Sequence, residues 1–273
     1  MTLQNIFLVV GLVVMAFALR SFASSFLQRL GGLSLMGASF FFGWFLLNSM
    51  VAGAICAASW LFLPWLEILT RVRNMRVPIQ KNMRPRSAPS EERFPALDEI
   101  TKEILDENFV QIEDGGWEWE GHQQFFRFFY KKDERILAAI CLVEHGEMGF
   151  FYLSLSSRTK DGRTWTTWNY PFPPSLKLPP RITICRTKPE DTFFQIYHTH
   201  QMFVEAHGLN DENLTDLDTA DVIEIVEADL KAQLDYNMDQ GLLVEAGEGM
   251  IRYTWRGMFF LWVQFLRDLV RLS

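Results

Sequence analysis

Residues 31–66 read GGLSLMGASFFFGWFLLNSMVAGAICAASWLFLPWL, and no aspartate, glutamate, lysine or arginine interrupts them. The preceding residues 3–19 are uncharged as well. Uncharged apolar segments of this length are typical of membrane-spanning helices. The sequence therefore predicts an N-terminal transmembrane anchor over residues 1–70.

The length of the apolar segment limits how it can cross a bilayer. An unbroken helix over residues 31–66 would be about 54 Å long, which exceeds the ~30 Å hydrocarbon core of a membrane. We therefore predict a helical hairpin of two spans, residues 3–19 and residues 40–63, with residues 31–39 as an interfacial turn region. Two spans place both chain ends on one side of the membrane.

Two alternatives to this hairpin stay open. Ala16 and Ala18 form the A-x-A pattern of a signal-peptide cleavage site, although the start of the chain, MTLQN, has no basic residue. A three-span anchor is the other alternative, and it would move the following domain to the other face of the membrane.

Basic residues follow the anchor with no acid among them: Arg71, Arg73, Arg76, Lys81, Arg84 and Arg86. The connecting turn holds Arg20 and Arg29 alone, so the positive-inside rule predicts a cytoplasmic domain. Residues 71–93 form a basic, proline-containing juxtamembrane linker. Its first three arginines fix the topology and are also candidates for contact with anionic membrane lipids.

The charge of the chain is divided between its two parts. Residues 1–86 contain eight basic residues and one acid, a net charge of +7, and the whole chain carries −7, so residues 87–273 carry −14. An acidic domain is repelled by phosphate backbones, which argues against nucleic-acid partners. Cys56, Cys141 and Cys185 lack metal-ligand spacing and suggest no disulfide framework.

The following residues, 94–255, predict one soluble α+β domain. Apolar residues recur at helical spacing in three segments: 94–109, 190–207 and 219–237. Runs rich in aromatic and β-branched residues predict strands between them: FVQIED, FFRFFYKK, ILAAICLVE, GFFYLSLSS, RTWTTWNY and RITICR. Consecutive strands predict an antiparallel sheet with flanking helices.

Glycine and proline predict the turns of this domain. Asp114-Gly115-Gly116 is expected to end the first strand, and Asp161-Gly162 to form a tight hairpin turn. Residues 171–180 contain five prolines, so they are expected to be irregular. Residues 241–255 predict a closing β-hairpin.

Residues 256–273 predict an amphipathic C-terminal helix. Its apolar side carries Trp262, and Arg267 and Arg271 lie on the other side. An aromatic face opposite arginines suits a helix in the membrane interface, where these three residues would contact lipid. The alternative is a helix that docks on the sheet.

No catalytic motif is present: Walker A, G-x-G-x-x-G and G-x-S-x-G are absent. His198 and His200 form an H-x-H pattern, but on a helix their side chains diverge. A buried histidine is the favoured interpretation of His200, with a ligand-binding role as the alternative. A metal pair with His207 lacks a third ligand. We therefore expect no catalytic residue, metal or cofactor.

The best ligand-binding candidates form an aromatic cluster in RTWTTWNYPFPP: Arg163, Trp165, Trp168, Asn169 and Tyr170. Aromatic rings with polar tips build ligand and peptide sites. If this segment is a strand, Trp165 and Thr167 share one face, and Thr166, Trp168 and Tyr170 share the other. One tryptophan would then pack in the core while the other would be exposed. The alternative is plain sheet packing.

Three functional hypotheses follow. The first is a membrane-anchored, cytoplasmic-facing binding or regulatory module without enzymatic activity. The second is a membrane-bound, hydrolase-like enzyme that acts on lipid or on a membrane protein. The third is a subunit of a transport or secretion assembly, in which a stripe of small residues contacts a membrane-protein partner or a second copy: Gly53, Ala54, Ala57 and Ala58.

Overall fold

The computed structural model describes residues 2–22, 25–90, 92–146, 148–210 and 212–272. It is 46% helix and 25% strand, so the prediction of a mixed helix-and-sheet protein is confirmed. Apolar N-terminal helices precede a domain built around a sheet. The side chains of Arg29 and Arg271 lie outside the described part of the structure.

The described N-terminal region forms three helices, α1 (Leu3–Arg20), α2 (Ser25–Leu47) and α3 (Met50–Thr70). The break between α2 and α3 lies at Asn48, whose φ is +50°, and Ser49 caps α3 by accepting a hydrogen bond from the Ala52 amide. The predicted interfacial turn at residues 31–39 is therefore wrong, because these residues are helical. The predicted continuous span 40–63 is also wrong, because it contains this break.

Two glycines are helix-packing residues: Gly31, from the predicted turn region, and Gly53, from the predicted stripe of small residues. A Cβ at Gly31 would lie 2.8 Å from the carbonyl oxygen of Ala16 on α1, and one at Gly53 would lie 2.7 Å from that of Phe40 on α2. Glycine lets the helix backbones approach this closely. The Trp60 indole also donates a hydrogen bond to the Ser39 hydroxyl across the α2–α3 interface (2.8 Å).

Length and apolar composition qualify two described helices as membrane spans, Leu3–Arg20 and Phe26–Leu47. The third helix bends by 57° between Met50–Trp60 and Trp65–Asn74, and the described chain has up to three spans if this bent pair is one span. Pro64 lies in the bend, and proline disrupts helical hydrogen bonding because it has no amide N–H.

The domain contains three further packing helices, α4 (Leu97–Asp106), α5 (Phe193–Ala206) and α6 (Val222–Asp239). The strands, in chain order, are β1 (Val77–Pro78), β2 (Arg84–Pro85), β3 (Val110–Trp119), β4 (His122–Lys131), β5 (Ile136–His145), β6 (Met148–Arg158), β7 (Thr164–Trp168), β8 (Ile182–Arg186), β9 (Leu243–Gly247) and β10 (Met250–Tyr253). Within the described residues, β2 to β8 form a seven-stranded sheet in sequential order, and β1, β10 and β9 form a second, three-stranded sheet.

The large sheet is antiparallel from β2 to β7, as predicted, and β8 then pairs parallel to β7. The proline-rich residues 171–180 connect these two parallel strands without regular structure. The turn predicted at Asp114-Gly115-Gly116 is wrong, because β3 continues to Trp119. A Cβ at Gly116 would lie 2.4 Å from the carbonyl oxygen of Gln124, so this glycine permits close strand pairing.

Two cores form on opposite faces of the large sheet. On the first face, α4 and α5 bury residues such as Ile104 and Ile196 against Phe129 and Leu155. On the second face, α6 places Val222 against a cluster that includes Phe128 and Tyr152. The amphipathic pattern of α4 and the alternation of the strands account for this arrangement.

The last helix, α7 (Trp255–Leu272), packs against the end of α3. Met258 and Leu261 form a buried cluster with Ile68, and the Trp262 ring lies 5.9 Å from that of Trp65. A salt bridge from Asp268 to Arg186 of β8 (3.5 Å) also ties α7 to the large sheet. The helix therefore joins the apolar N-terminal helices to the domain, and Trp262 faces α3.

Candidate ligand-binding cavity

A cavity of about 470 Å³ lies on the second face of the large sheet. Its walls come from the sheet, α6, the proline-rich segment, the small sheet and α7. This volume falls within the range of small-molecule sites, about 300–1,000 Å³. The aromatic lining residues are Trp117, Trp119, His122, Tyr152, Trp168, Tyr170, Tyr253 and Phe265.

Strand register explains why aromatic groups meet at this wall. Tyr152 pairs with Cys141 on β5, and Trp168 pairs with Ser154 on β6, so the alternation of the strands sends both rings to the second face. The Tyr152 ring lies 6.2 Å from that of Trp168 and 5.0 Å from that of Tyr170. Burial raises the pKa of the Tyr152 hydroxyl well above its usual 10, so this group is a neutral part of the wall.

The charged groups of the cavity lining are both cations. Among the described residues, the lining contains Lys81 and Arg252 and no aspartate or glutamate. The Lys81 amine lies 4.7 Å from the centre of the Trp117 ring, and it forms no salt bridge with a described residue. Burial lowers the pKa of Lys81 to about 8, because the cation loses hydration without a carboxylate partner.

Two indole N–H groups of the lining are buried without a described hydrogen-bond partner, those of Trp119 and Trp168. A buried donor without an acceptor costs about 1–3 kcal/mol, so such groups are uncommon in native proteins. Trp117, in contrast, donates its indole N–H to the side-chain oxygen of Gln124 (2.9 Å). Two tryptophans of the aromatic wall therefore each bury an N–H group that has no described acceptor.

A stack of rings borders the cavity at the end of β3. The rings of Trp119 and His122 are stacked with centres 5.0 Å apart, and those of His122 and His145 are stacked at 3.9 Å. Burial and the neighbouring His145 lower the pKa of His122, and Glu120 partly opposes them. The stack is therefore favoured when His122 is uncharged.

The cavity extends in two directions. A smaller cavity of about 170 Å³ shares the residues Tyr152, Trp168, Leu178, Leu230 and Gln233 with it. On the opposite side, the lining includes Val72 and Met75, which directly follow α3, and Leu261 and Phe265 of α7. The cavity therefore reaches from the interior of the domain to the elements nearest the apolar N-terminal helices.

The structure separates the members of the predicted aromatic cluster. Trp168 and Tyr170 line the cavity, whereas Trp165 packs on the first face, where its ring lies 4.5 Å from that of His207. The expected division of the two tryptophans between opposite faces is confirmed. Arg163 is exposed in the hairpin and pairs with Asp161 (3.1 Å). The side-chain amide oxygen of Asn169 accepts a hydrogen bond from the backbone N–H of Leu153 (2.6 Å). This bond ties the end of β7 to β6.

The structure encloses His200 completely. Its Nε2 lies 3.1 Å from the Ser157 hydroxyl and its Nδ1 lies 3.0 Å from the Thr167 hydroxyl. Burial lowers the pKa of His200 to about 4, with Glu134 opposing the shift weakly. Ser157 and His200 are both buried and no substrate can reach them, so this pair is part of the packed core. Within the described residues, no group of three or more potential metal ligands is present.

The predicted lipid-contact residues have mixed surroundings. Arg71 and Arg76 are exposed, and the Arg73 guanidinium lies 5.2 Å from the centre of the Trp255 ring. Arg267 is also exposed, while Trp262 packs on α3. The exposed aromatic residues of α7 are instead Trp255, Phe259 and Phe265.

Sequence reasoning missed Lys81 as a cavity residue, because it lies within the basic linker and was counted only for topology. It also missed Tyr152 and the contribution of α6. The Trp117 and Trp119 pair in WEWEG was the available signal for this wall. Comparisons with protein-family models, with curated proteins and with solved structures found no match to this chain.

Proposed function

We propose that this protein is a membrane-anchored binding module that takes an apolar small molecule or lipid into the aromatic cavity. The observation that carries the proposal is an aromatic cavity that adjoins the anchor and contains Lys81 without a described counter-ion. Ligand sites combine largely apolar walls with a few placed polar groups, and this cavity has that composition.

The proposal includes a three-helix anchor with the domain in the cytoplasm. With three crossings, the α1–α2 turn and the linker lie on the same side, so Arg20, Arg29 and the linker arginines all satisfy the positive-inside rule. The three-span alternative is therefore compatible with the predicted cytoplasmic side. On α7, Trp255 and Phe259 are 59% and 54% exposed, which suits contact with lipid at the interface.

A hydrolase built on His200 is disfavoured, because the ring is fully buried and both nitrogens contact hydroxyl groups of the core. Catalysis requires that the reacting groups meet a substrate in an accessible pocket. A role as an assembly subunit has weaker support, because Gly53 of the small-residue stripe already packs on α2.

The test uses the full chain in phosphatidylcholine nanodiscs and a long-chain fatty alcohol with a photoactivatable diazirine on its chain. We expect adducts on β6 and α6 in addition to those on the apolar helices, which any bilayer probe labels. Val143→Trp places an indole in the cavity and should abolish the β6 and α6 adducts. Val110→Trp is the matched control, because Val110 is exposed on β3 outside the lining. Adducts confined to α1–α3 in the wild type would contradict the proposal.

A further inference from the structure

Resting on the proposed function, we infer that the cavity binds a single-chain anionic amphiphile of the fatty-acid class, with its carboxylate at Lys81 and its chain along the wall toward Tyr152 and Trp168. The inference concerns the chemistry of the ligand, which the size and shape of the cavity alone leave open. It follows from the charge of the lining, the donors beside it and the route toward the anchor.

The charge of the lining is opposite to that of the domain around it. Residues 87–273 carry a net charge of −14, yet the described lining contains two cations and no acid. Glu224 and Glu227 of α6 line a neighbouring groove with Lys81, but Glu227 accepts a hydrogen bond from the Met83 amide. Lys81 is therefore a partly buried cation without a described counter-ion, which an anionic head group would supply.

The donors favour a ligand that brings acceptors. Trp119 and Lys81 both belong to the lining. The Trp119 indole N–H is buried without a described acceptor, and the Lys81 amine packs on the Trp117 ring and forms no salt bridge with a described residue. A carboxylate has two oxygens that only accept hydrogen bonds. A cationic amphiphile would leave these donors unused and would be repelled by Lys81.

The remaining walls suit an alkyl chain. From Lys81 the lining continues over Val143, Tyr152 and Leu230 toward Trp168. The smaller cavity beyond adds Phe128 and Ile184, and the ion pair of Arg158 with Asp229 also lines it. A main cavity of about 470 Å³ with an extension of about 170 Å³ suits one acyl chain better than the two chains of a phospholipid. The contacts with Met75 and Phe265 on the anchor side provide an entrance from the membrane interface.

The experiment compares two probes of equal chain length in the full protein in phosphatidylcholine nanodiscs: a diazirine fatty acid and the corresponding fatty alcohol. We expect the acid to label β6 and α6 about tenfold more than the alcohol does, since a charge-assisted hydrogen bond is worth about one factor of ten or more. Lys81→Met should remove this preference, so that the acid and the alcohol label β6 and α6 to the same extent. Lys81→Arg should preserve it, and Lys102→Met on the exposed face of α4 should have no effect.

The outcomes separate the two claims. If acid and alcohol label the cavity equally, in the wild type and in Lys81→Met, the anionic head group is wrong while the binding module stands. If neither probe labels β6 or α6, both the inference and the proposed function fail. The comparison of acid with alcohol in the wild type decides the matter even if Lys81→Met does not fold.

Discussion

At the scale of the residue, His200 shows how burial sets protonation. Its imidazole is fully enclosed between the Ser157 and Thr167 hydroxyls, and its pKa falls to about 4 from an ordinary 6.5. The unfolded chain therefore binds a proton more readily than the folded one between these pH values. Stability from this group is fully present above pH 6.5 and is lost as the pH falls toward 4.

We expect the free energy of unfolding of the wild-type chain in detergent to decrease by up to about 3 kcal/mol through this window. Denaturant unfolding followed by tryptophan fluorescence measures it at each pH. His200→Gln should flatten this part of the pH profile, and His198→Gln, on the exposed side of the same helix, should retain it. A wild-type profile that His200→Gln leaves unchanged would show that another group titrates.

Trp165 and Trp168 of β7 show what the sequence can predict at the scale of the residue. Alternation along β7 correctly separated Trp165 from Trp168, because a strand sends successive side chains to opposite faces. The role of Lys81 was not predictable in this way. Its position depends on a linker that folds back along Trp117, a contact between residues distant in sequence. The local pattern of apolar and polar residues does not reveal a contact between residues this far apart in the sequence.

At the scale of the element, the sequence predicts most strands and helices of the domain. Along residues 94–255 the spacing of apolar residues changes clearly between the repeat of a helix and the alternation of a strand. The apolar helices were less predictable, since both sides of such a helix are hydrophobic and no period marks its ends. The break between α2 and α3 arises because Asn48 has a left-handed backbone conformation and Ser49 caps the start of α3. The glycines at 31 and 32 gave a stronger turn signal and were helical.

Packing between α2 and α3 gives a prediction at this scale. Gly53→Leu should destabilise the full chain in detergent by about 1–3 kcal/mol, because a Cβ at this position already lies 2.7 Å from the Phe40 carbonyl oxygen. Thermal unfolding measures the change. Ala54→Leu is the matched control, because Ala54 is exposed on the adjacent position. Equal melting temperatures for the two variants would contradict the packing of α2 on α3.

At the scale of the whole molecule, α7 links the anchor, the cavity and the domain. It buries Met258 against Ile68 of α3 and places Leu261 and Phe265 in the cavity lining, and its Asp268 pairs with β8. The domain is therefore held beside the anchor by packing as well as by the linker. Under the proposed function, a ligand leaving the membrane interface would meet the cavity without crossing bulk water.

The number of crossings then determines which side each part occupies. If α1, α2 and the bent α3 all cross, residue 2 and the domain lie on opposite sides of the membrane; if α3 turns back, they lie on the same side. The basic residues favour three crossings, because Arg20, Arg71 and Arg73 then share the cytoplasmic side. The bend at Pro64 does not oppose this, since kinked helices also span membranes.

We expect an impermeant maleimide to label Thr2→Cys in intact bacterial cells and to label Lys160→Cys only after the cells are opened. Both variants are made in a chain without its native Cys56, Cys141 and Cys185, so that the probe reports one position. Lys160 suits the test because it is exposed in the β6–β7 turn. Equal protection of both positions in intact cells would instead place both chain regions inside and require an even number of crossings. Labelling of Lys160→Cys in intact cells would reject the cytoplasmic domain, and the linker arginines would then have to be explained by lipid contact alone.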